Sequence, residues 1–323
     1  MLVVDDRWSG KHGIGRLARE LVPRLHSPWT PLTSKLNPAS PLDAVNPARF
    51  GLKASDLLYS PGFNAGLTRA RQLITICDLI HLEVKSESGT AKRLYYERVV
   101  RPAILKTGMV LTISEVSRNA ITSWLKAPEV DVVNVGIGLS SAFTAEGPVS
   151  KPFDNFFMYV GNLKPHKNFD VLLAALRLRP NYRLVVVSAD ETDVVDRAKA
   201  AGVDEQIATR SNISDEDLAS LYRGSDGLIF PSMLEGFGLP ALEAGSSGAP
   251  VAFWSGCHSI AEILDGNGVS VEVADEPEDW AAGMDSLLDL NVFRPLEWWK
   301  TQYDWDLSAG RIDEAISRAR RDV

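Results

Sequence analysis

The chain has 323 residues, enough for two domains, and its 45% hydrophobic and 24% charged residues are an ordinary balance for a folded, water-soluble protein. No apolar run approaches the ~18 residues a membrane span needs, Met1 to Asp6 lacks a secretory leader's layout, and the two cysteines, Cys77 and Cys257, form neither a disulfide framework nor a metal-ligand spacing. The net charge of −8 is uneven: residues 1–150 hold 18 basic and 13 acidic side chains, the remainder 16 and 29. A mildly basic first half suits anionic small molecules or lipid head groups at a membrane surface, although surface charge also varies between domains without consequence; nothing points to nucleic acid. A cytoplasmic protein, with a place at the inner face of the membrane, is the expectation.

Leu2 to Asp5 predicts a first strand, followed by Ser9-Gly-Lys-His-Gly-Ile-Gly-Arg and a helix with Ile14, Leu17, Ala18, Leu21, Val22 and Leu25 on one face. Gly13 and Gly15 let backbone come close to a ligand. Gly13-x-Gly15-x-x-Ala18 also mimics a dinucleotide fingerprint, but several residues separate it from the strand and no acid follows about 20 positions on. Residues 27–66 are rich in Pro, Ser and Asn and show no strong period. Leu57 to Ser60 and Leu73 to Cys77 predict further strands, the second running into Asp78 and His81. Val110 to Ser114 reads as a strand entering a helix, Asp131 to Gly138 as a strand and turn, and Pro148 to Pro152 as a linker.

Beyond the linker, Phe156 to Val160 predicts a strand, Gly161 to Asn168 a tight turn carrying Asn162, Lys164 and Lys167, and the following residues a helix with Val171, Leu172, Ala175 and Leu176 inward. A lysine at a helix start suits a phosphate, though no Gly-x4-Gly-Lys-[Ser/Thr] loop is present. Tyr182 to Val187 is a strand, Ser214 an expected N-cap with Asp217 three residues on, and Trp280 to Leu290 an amphipathic helix. The tail from Leu296 carries Trp298, Trp299, Tyr303 and Trp305. Asp215-Glu-Asp217 and Asp304-Trp-Asp306 sit outside any strand end, so no metal is expected.

The densest stretch is Phe230 to Val251: strand, glycine loop, helix, strand. Pro240 suits the start of the helix and Gly248 its stop. The backbone of Phe237, Gly238 and Leu239, at the positive end of the helix dipole, is a natural seat for phosphate. Glu235 and Glu243 flank that seat. Carboxylates repel a phosphate but accept hydrogen bonds from hydroxyls, so the pattern reads as a nucleotide-sugar site; a capped helix with two solvated acids is the alternative.

Glu235-Gly-Phe-Gly-Leu-Pro-Ala-Leu-Glu243-Ala, followed by Gly-Ala-Pro-Val, resembles the signature of retaining glycosyltransferases of family 4, and the blocks above extend the resemblance over nearly the whole chain. The resemblance implies the GT-B fold, an α/β architecture of two doubly wound Rossmann-like domains facing a cleft: 1–150 on the acceptor side, 151–296 on the donor side, and a helical tail, 297–323, packing back on the first domain. It implies Lys167 on the donor diphosphate together with Asn162, Lys164, Gly13, Gly15 and the Phe237–Leu239 backbone, Glu235 on the transferred hexose, and Glu243 on the ribose. Family members usually carry His-Asp where this chain has Cys77-Asp78, and many carry Arg where Asn162 stands; Asp78 is retained as a catalytic candidate, with His81 nearby. The implied activity is metal-independent hexose transfer from a nucleotide sugar, GDP-mannose first and UDP-hexose next, to a glycan or lipid-linked acceptor of bacterial surface polysaccharide synthesis, with no cofactor. The two departures leave open a nucleotide-sugar-binding protein without transfer activity, and the fold leaves open a sugar-nucleotide epimerase.

Overall fold

The computed structural model describes residues 1–10, 13–84, 89–290 and 298–321. The chain forms two compact units, Met1–Gly138 with Gln302–Val323, and Leu139–Thr301. The expected tail start at 296 and 297 lies outside the described residues.

Among the described residues the first unit carries six strands: β1 (Leu2–Val4), β2 (Thr30–Pro31), β3 (Leu57–Ser60), β4 (Arg71–Ile74), β5 (Met109–Thr112) and β6 (Asp131–Asn134). The first four form a parallel sheet in the order β2-β1-β3-β4, and β5 pairs with β6 in parallel. A bridge between Thr75 and Leu111 joins the two sheets. β1, β3 and β5 are buried on both faces, as continuous apolar runs such as Leu-Val-Val and Met-Val-Leu require, while the edge strand β2 is exposed. The helix after β1 runs over Gly13–Leu21 with Leu17, Ala18 and Leu21 buried. It stops short of the expected Leu25: Pro23 has no N–H to continue the ladder, and Val22–Arg24 tightens into a 3-10 turn.

The closing helix, Trp305–Arg321, belongs to this unit. Its Asp313 accepts from the backbone N–H groups of His26 at 2.8 Å and Ser27 at 2.9 Å, and Arg311 donates to the Val135 carbonyl at 3.3 Å. A Cβ on Gly138 would stand 2.3 Å from the Trp305 ring, so this aromatic needs a glycine beside it. Asp304, in the Asp-x-Asp string, caps the helix by accepting from the N–H groups of Asp306 and Leu307 at 2.8 and 2.9 Å.

The second unit is one parallel sheet of β7 (Phe157–Val160), β8 (Leu184–Val187), β9 (Ile207–Arg210), β10 (Gly227–Phe230), β11 (Val251–Trp254) and β12 (Val269–Val271), in the order β12-β11-β10-β7-β8-β9. This is the doubly wound dinucleotide-fold order, which reverses direction between β7 and β10. Its core gathers Leu172, Leu176, Val186, Ile229, Trp280 and Met284. The helix Pro277–Asp289 presses Trp280 into that core, where the indole N–H reaches the Ala274 carbonyl at 2.8 Å. Ser214 caps its helix as the spacing predicted, accepting from the Asp217 N–H at 3.1 Å.

The segment 139–150 lies with the second unit, ahead of the break expected at 150. Arg223 holds it there, donating to the carbonyls of Thr144 at 2.9 Å and Pro148 at 2.7 Å, while Ser150 N–H bonds the Ser220 carbonyl at 2.9 Å.

Candidate functional site

In a doubly wound sheet, ligands bind outside the carboxyl ends of the two strands at which the order reverses. In the second unit those strands are β7 and β10. The chain leaves β7 through Asn162 and Lys164 into a 3-10 turn, Pro165–Lys167, before the helix Phe169–Leu178. It leaves β10 through Glu235, Phe237 and Gly238 into the helix Leu239–Ser246. The two expected halves of a donor site therefore share one place in the sheet.

They also touch. Lys167 Nζ donates to Glu235 Oε1 at 2.5 Å, although the residues stand 68 positions apart in sequence. Both side chains are largely enclosed, with 16% and 11% of their surfaces exposed. The ammonium also lies 5.8 Å from the centre of the Phe230 ring, within range of a cation–π attraction. A bond from Met233 N–H to the His166 carbonyl, 2.8 Å long, ties the two loops together.

Gly238 begins the helix at φ 115°, a left-handed conformation that glycine tolerates, and a Cβ there would lie 2.0 Å from Ile260 Cδ1. Pro240 falls in the first turn as expected, and no side chain caps that turn. Phe237 and Glu243 are buried, Glu243 within the helix. Asn162 and Lys164 are exposed; the Asn162 side chain accepts from the Lys164 N–H at 3.2 Å, and its carbonyl accepts from the Tyr159 hydroxyl at 2.6 Å. Cys257 is buried; burial, with Glu235 nearby, pushes its thiol up to about 11.

The remaining predicted residues lie in the first unit. Gly13 and Gly15 open the helix after β1, and a Cβ on Gly15 would stand 2.5 Å from the Gly10 carbonyl oxygen, so close backbone packing alone demands that glycine. Asp78 follows β4; its Oδ1 accepts from the Ile80 N–H at 3.1 Å and lies 3.8 Å from His81 Nδ1. The His81 ring packs on Tyr96 at 4.6 Å, and its Nε2 is buried without a hydrogen-bond partner. Burial, reinforced by Asp78, pushes the Cys77 thiol up to about 12, so it stays protonated at neutral pH.

Sequence reasoning missed a buried ionic cluster beneath the β1 end. Arg7 donates to Asp5 at 2.5 and 2.7 Å and to Asp43 at 2.7 and 3.2 Å. Arg49, fully buried, donates to Asp43 at 2.7 Å and to Gln72 at 3.1 Å, and Asn64 donates to Asp5 and Asp43 at 2.7 and 3.0 Å. Burial raises the Asp43 carboxyl, but the hydrogen bonds from Arg7, Arg49 and Asn64 outweigh it and leave it at about 2. The signal was Asp5-x-Arg7 at a strand end, with further opposite charges in the region that lacked a period.

Residues 145–306 match the family model described as glycosyl transferases group 1, and the chain belongs to that family. The chain is 29% identical over 250 residues to O-antigen chain mannosyltransferase B of Escherichia coli, covering 72% of this chain and 65% of that protein. It is 32% identical over 263 residues to a D-inositol 3-phosphate glycosyltransferase of Streptosporangium roseum, covering 74% and 57%. The chain thus spans less than two thirds of either relative's own length. Among solved structures, Anabaena HepE in complex with UDP-glucose superposes with a TM-score of 0.68 at 16% identity, covering 98% of this chain and 99% of that one. The likeness shows the fold: two Rossmann-like α/β domains of GT-B type, as the sequence resemblance implied.

Proposed function

We propose that the protein is a retaining hexosyltransferase that moves a sugar, mannose by first choice, from a nucleotide diphosphate donor to the hydroxyl of a glycan or lipid-linked glycan. The observation that carries this reading is the contact between Lys167 and Glu235 at the β7/β10 reversal. An ammonium has three N–H donors, and Glu235 takes one; two remain for oxygens of a diphosphate. Glu235 has a second carboxylate oxygen for a hydroxyl of the transferred sugar. The uncapped first turn of the helix Leu239–Ser246 offers backbone N–H groups and its dipole to the same diphosphate. Glu243, buried in that helix, is assigned to the ribose hydroxyls.

In the reaction the bond from the anomeric carbon to the diphosphate oxygen breaks. The acceptor oxygen bonds that carbon on the same face, and the acceptor proton passes to the departing diphosphate. Charge accumulates on the leaving group, so donors fixed around it contribute most to the rate. Lys167 supplies the cation and needs little reorganisation, because Glu235 and Phe230 already hold it. Asp78, with His81 beside it, is the catalytic candidate that the family resemblance assigns in the first unit. The reading assigns no metal and no cofactor.

Support for mannose comes from the Escherichia coli relative's name, and support for a nucleotide-sugar donor from the HepE complex. The basic balance of residues 1–150 supports an acceptor carried at a membrane surface; among the described residues no helix is long and apolar enough to cross one. The test is to incubate the protein with GDP-mannose, UDP-glucose and UDP-N-acetylglucosamine separately and follow nucleoside diphosphate release. Slow release from one donor, with the α-anomer of the free sugar formed first from an α-linked donor, is expected; a β-anomer formed first contradicts retention.

A further inference from the structure

The segment 41–50 of the first unit is folded with its polar side chains inward and its apolar ones outward. It runs through a 3-10 turn, Pro41–Val45, and a short helix, Pro47–Phe50. Asp43, Asn46 and Arg49, three residues apart, are buried because the ionic cluster claims them: Asp43 accepts from Arg7, Arg49 and Asn46. Side chains three apart line up in a 3-10 turn, so one polar row takes the inward face and the neighbouring rows are left outside. Leu42, Val45 and Phe50 are accordingly 64, 50 and 56% exposed. They cannot turn inward without breaking buried ion pairs, which is strongly destabilising.

Leu67, also exposed, joins this face from the loop ahead of β4. Its N–H bonds the Ala44 carbonyl at 2.7 Å, next to Val45. The Thr68 hydroxyl bonds the Arg49 carbonyl at 2.8 Å, next to Phe50. Gln72 pins the loop, accepting from the Gly66 N–H at 3.0 Å and donating to the Gly66 carbonyl at 2.9 Å. Four large apolar side chains thus stand on two segments that are hydrogen-bonded to each other. Clustered exposed apolar groups of this kind mark interaction surfaces.

The charge around them has one sign. Residues 27–76 contain two carboxylates, Asp43 and Asp56, and both are buried. Lys53, shortly after Phe50, and Arg69, shortly after Leu67, are exposed. Lys106 comes in beside them from the helix Arg101–Thr107, its Nζ donating to the Arg69 carbonyl at 2.7 Å. The rim is basic, and no exposed acid of 27–76 offsets it.

We infer that this face docks on a membrane containing anionic lipid. Leu42, Val45, Phe50 and Leu67 enter the boundary between head groups and acyl chains, and Lys53, Arg69 and Lys106 meet the lipid phosphates. A second copy of the chain fits less well, because a two-fold contact through this face sets two basic rims against each other. That the membrane carries the acceptor rests on the transferase reading; the docking does not.

Co-sedimentation with vesicles of phosphatidylcholine alone, and of phosphatidylcholine with one third phosphatidylglycerol, tests the inference. The unaltered protein should partition onto the anionic vesicles and lose most of that binding in about 0.5 M salt, which screens the rim. Leu42→Ser with Phe50→Ser, and separately Lys53→Glu with Arg69→Glu, should each lower the partition coefficient at least about tenfold. All four positions are exposed, so the melting temperature should hold, as should nucleoside diphosphate release in solution. Undiminished partitioning in either double variant overturns the inference, as does equal binding to the neutral vesicles or no binding to the anionic ones. A dimer in vesicle-free solution that Leu42→Ser with Phe50→Ser abolishes also overturns it, in favour of a second copy. Failure to bind any nucleotide sugar counts against the transferase reading alone, since the vesicles contain neither donor nor glycan.

Discussion

Lys167 and Glu235 neutralise each other in an enclosed place, so each substitution has two consequences. Lys167→Ala removes a donor aimed at the leaving group and should lower turnover by about two to three orders of magnitude. It also leaves Glu235 short of a partner, at a stability cost of about 1–3 kcal/mol, readable as a lower melting temperature. An unchanged rate in Lys167→Ala would remove it from the reaction. The cysteines give a second prediction at this scale. Burial holds Cys77 at about 12 and Cys257 at about 11, so the folded protein should resist alkylation at pH 8 and label readily once unfolded. Fast labelling of the folded protein at pH 8 would show that a thiol is accessible and ionised there.

At the scale of elements, the strand-loop-helix after β10 was legible because its information is local. Pro240, Gly238 and Gly248 punctuate the backbone, and Glu235 and Glu243 need only their spacing to be seen. Gly238→Ala puts a Cβ 2.0 Å from Ile260 Cδ1 at a φ of 115°, so it should both lower the melting temperature and weaken nucleotide binding. Loss of stability with full nucleotide affinity would separate this turn from the ligand. The ionic cluster of the first unit was illegible for the opposite reason. Apart from the local Asp5-x-Arg7 pair, its members Asp43, Arg49, Asn64 and Gln72 join only once β1, β3 and β4 are side by side, and no local pattern marks those four. The helix end at Leu21 shows a stop signal overruled by periodicity in the reading, since Val22 and Leu25 keep the apolar stripe while Pro23 breaks the ladder. The attachment of residues 139–150 to the second unit depends on Arg223, far along the chain, and could not be read from the linker's own composition.

At the scale of the molecule, the two units have different weak points. The depressed Asp43 carboxyl stabilises the first unit fully above the ordinary carboxylate pKa, and that contribution, on the order of 2 kcal/mol, disappears as pH falls through about 2. The first unit should lose stability on acidification from pH ~4 toward ~2. Arg49→Ala, which strips a fully buried cation from Asp43, should cost about 3–5 kcal/mol and flatten that acid dependence. An acid profile identical in Arg49→Ala and the unaltered protein would show that the cluster does not govern it. The second unit rests on apolar packing; Trp280→Ala should cost about 3–5 kcal/mol at any pH. The central claim, that the β7/β10 reversal of the second unit holds a nucleotide-sugar diphosphate between Lys167 and the helix Leu239–Ser246, is tested most directly by titrating the protein, Lys167→Ala and Glu243→Ala with GDP-mannose and UDP-glucose. The account predicts saturable binding of one donor by the unaltered protein and at least about tenfold weaker binding in each variant. Undiminished binding in both variants, or no binding of either donor to the folded protein, would contradict it.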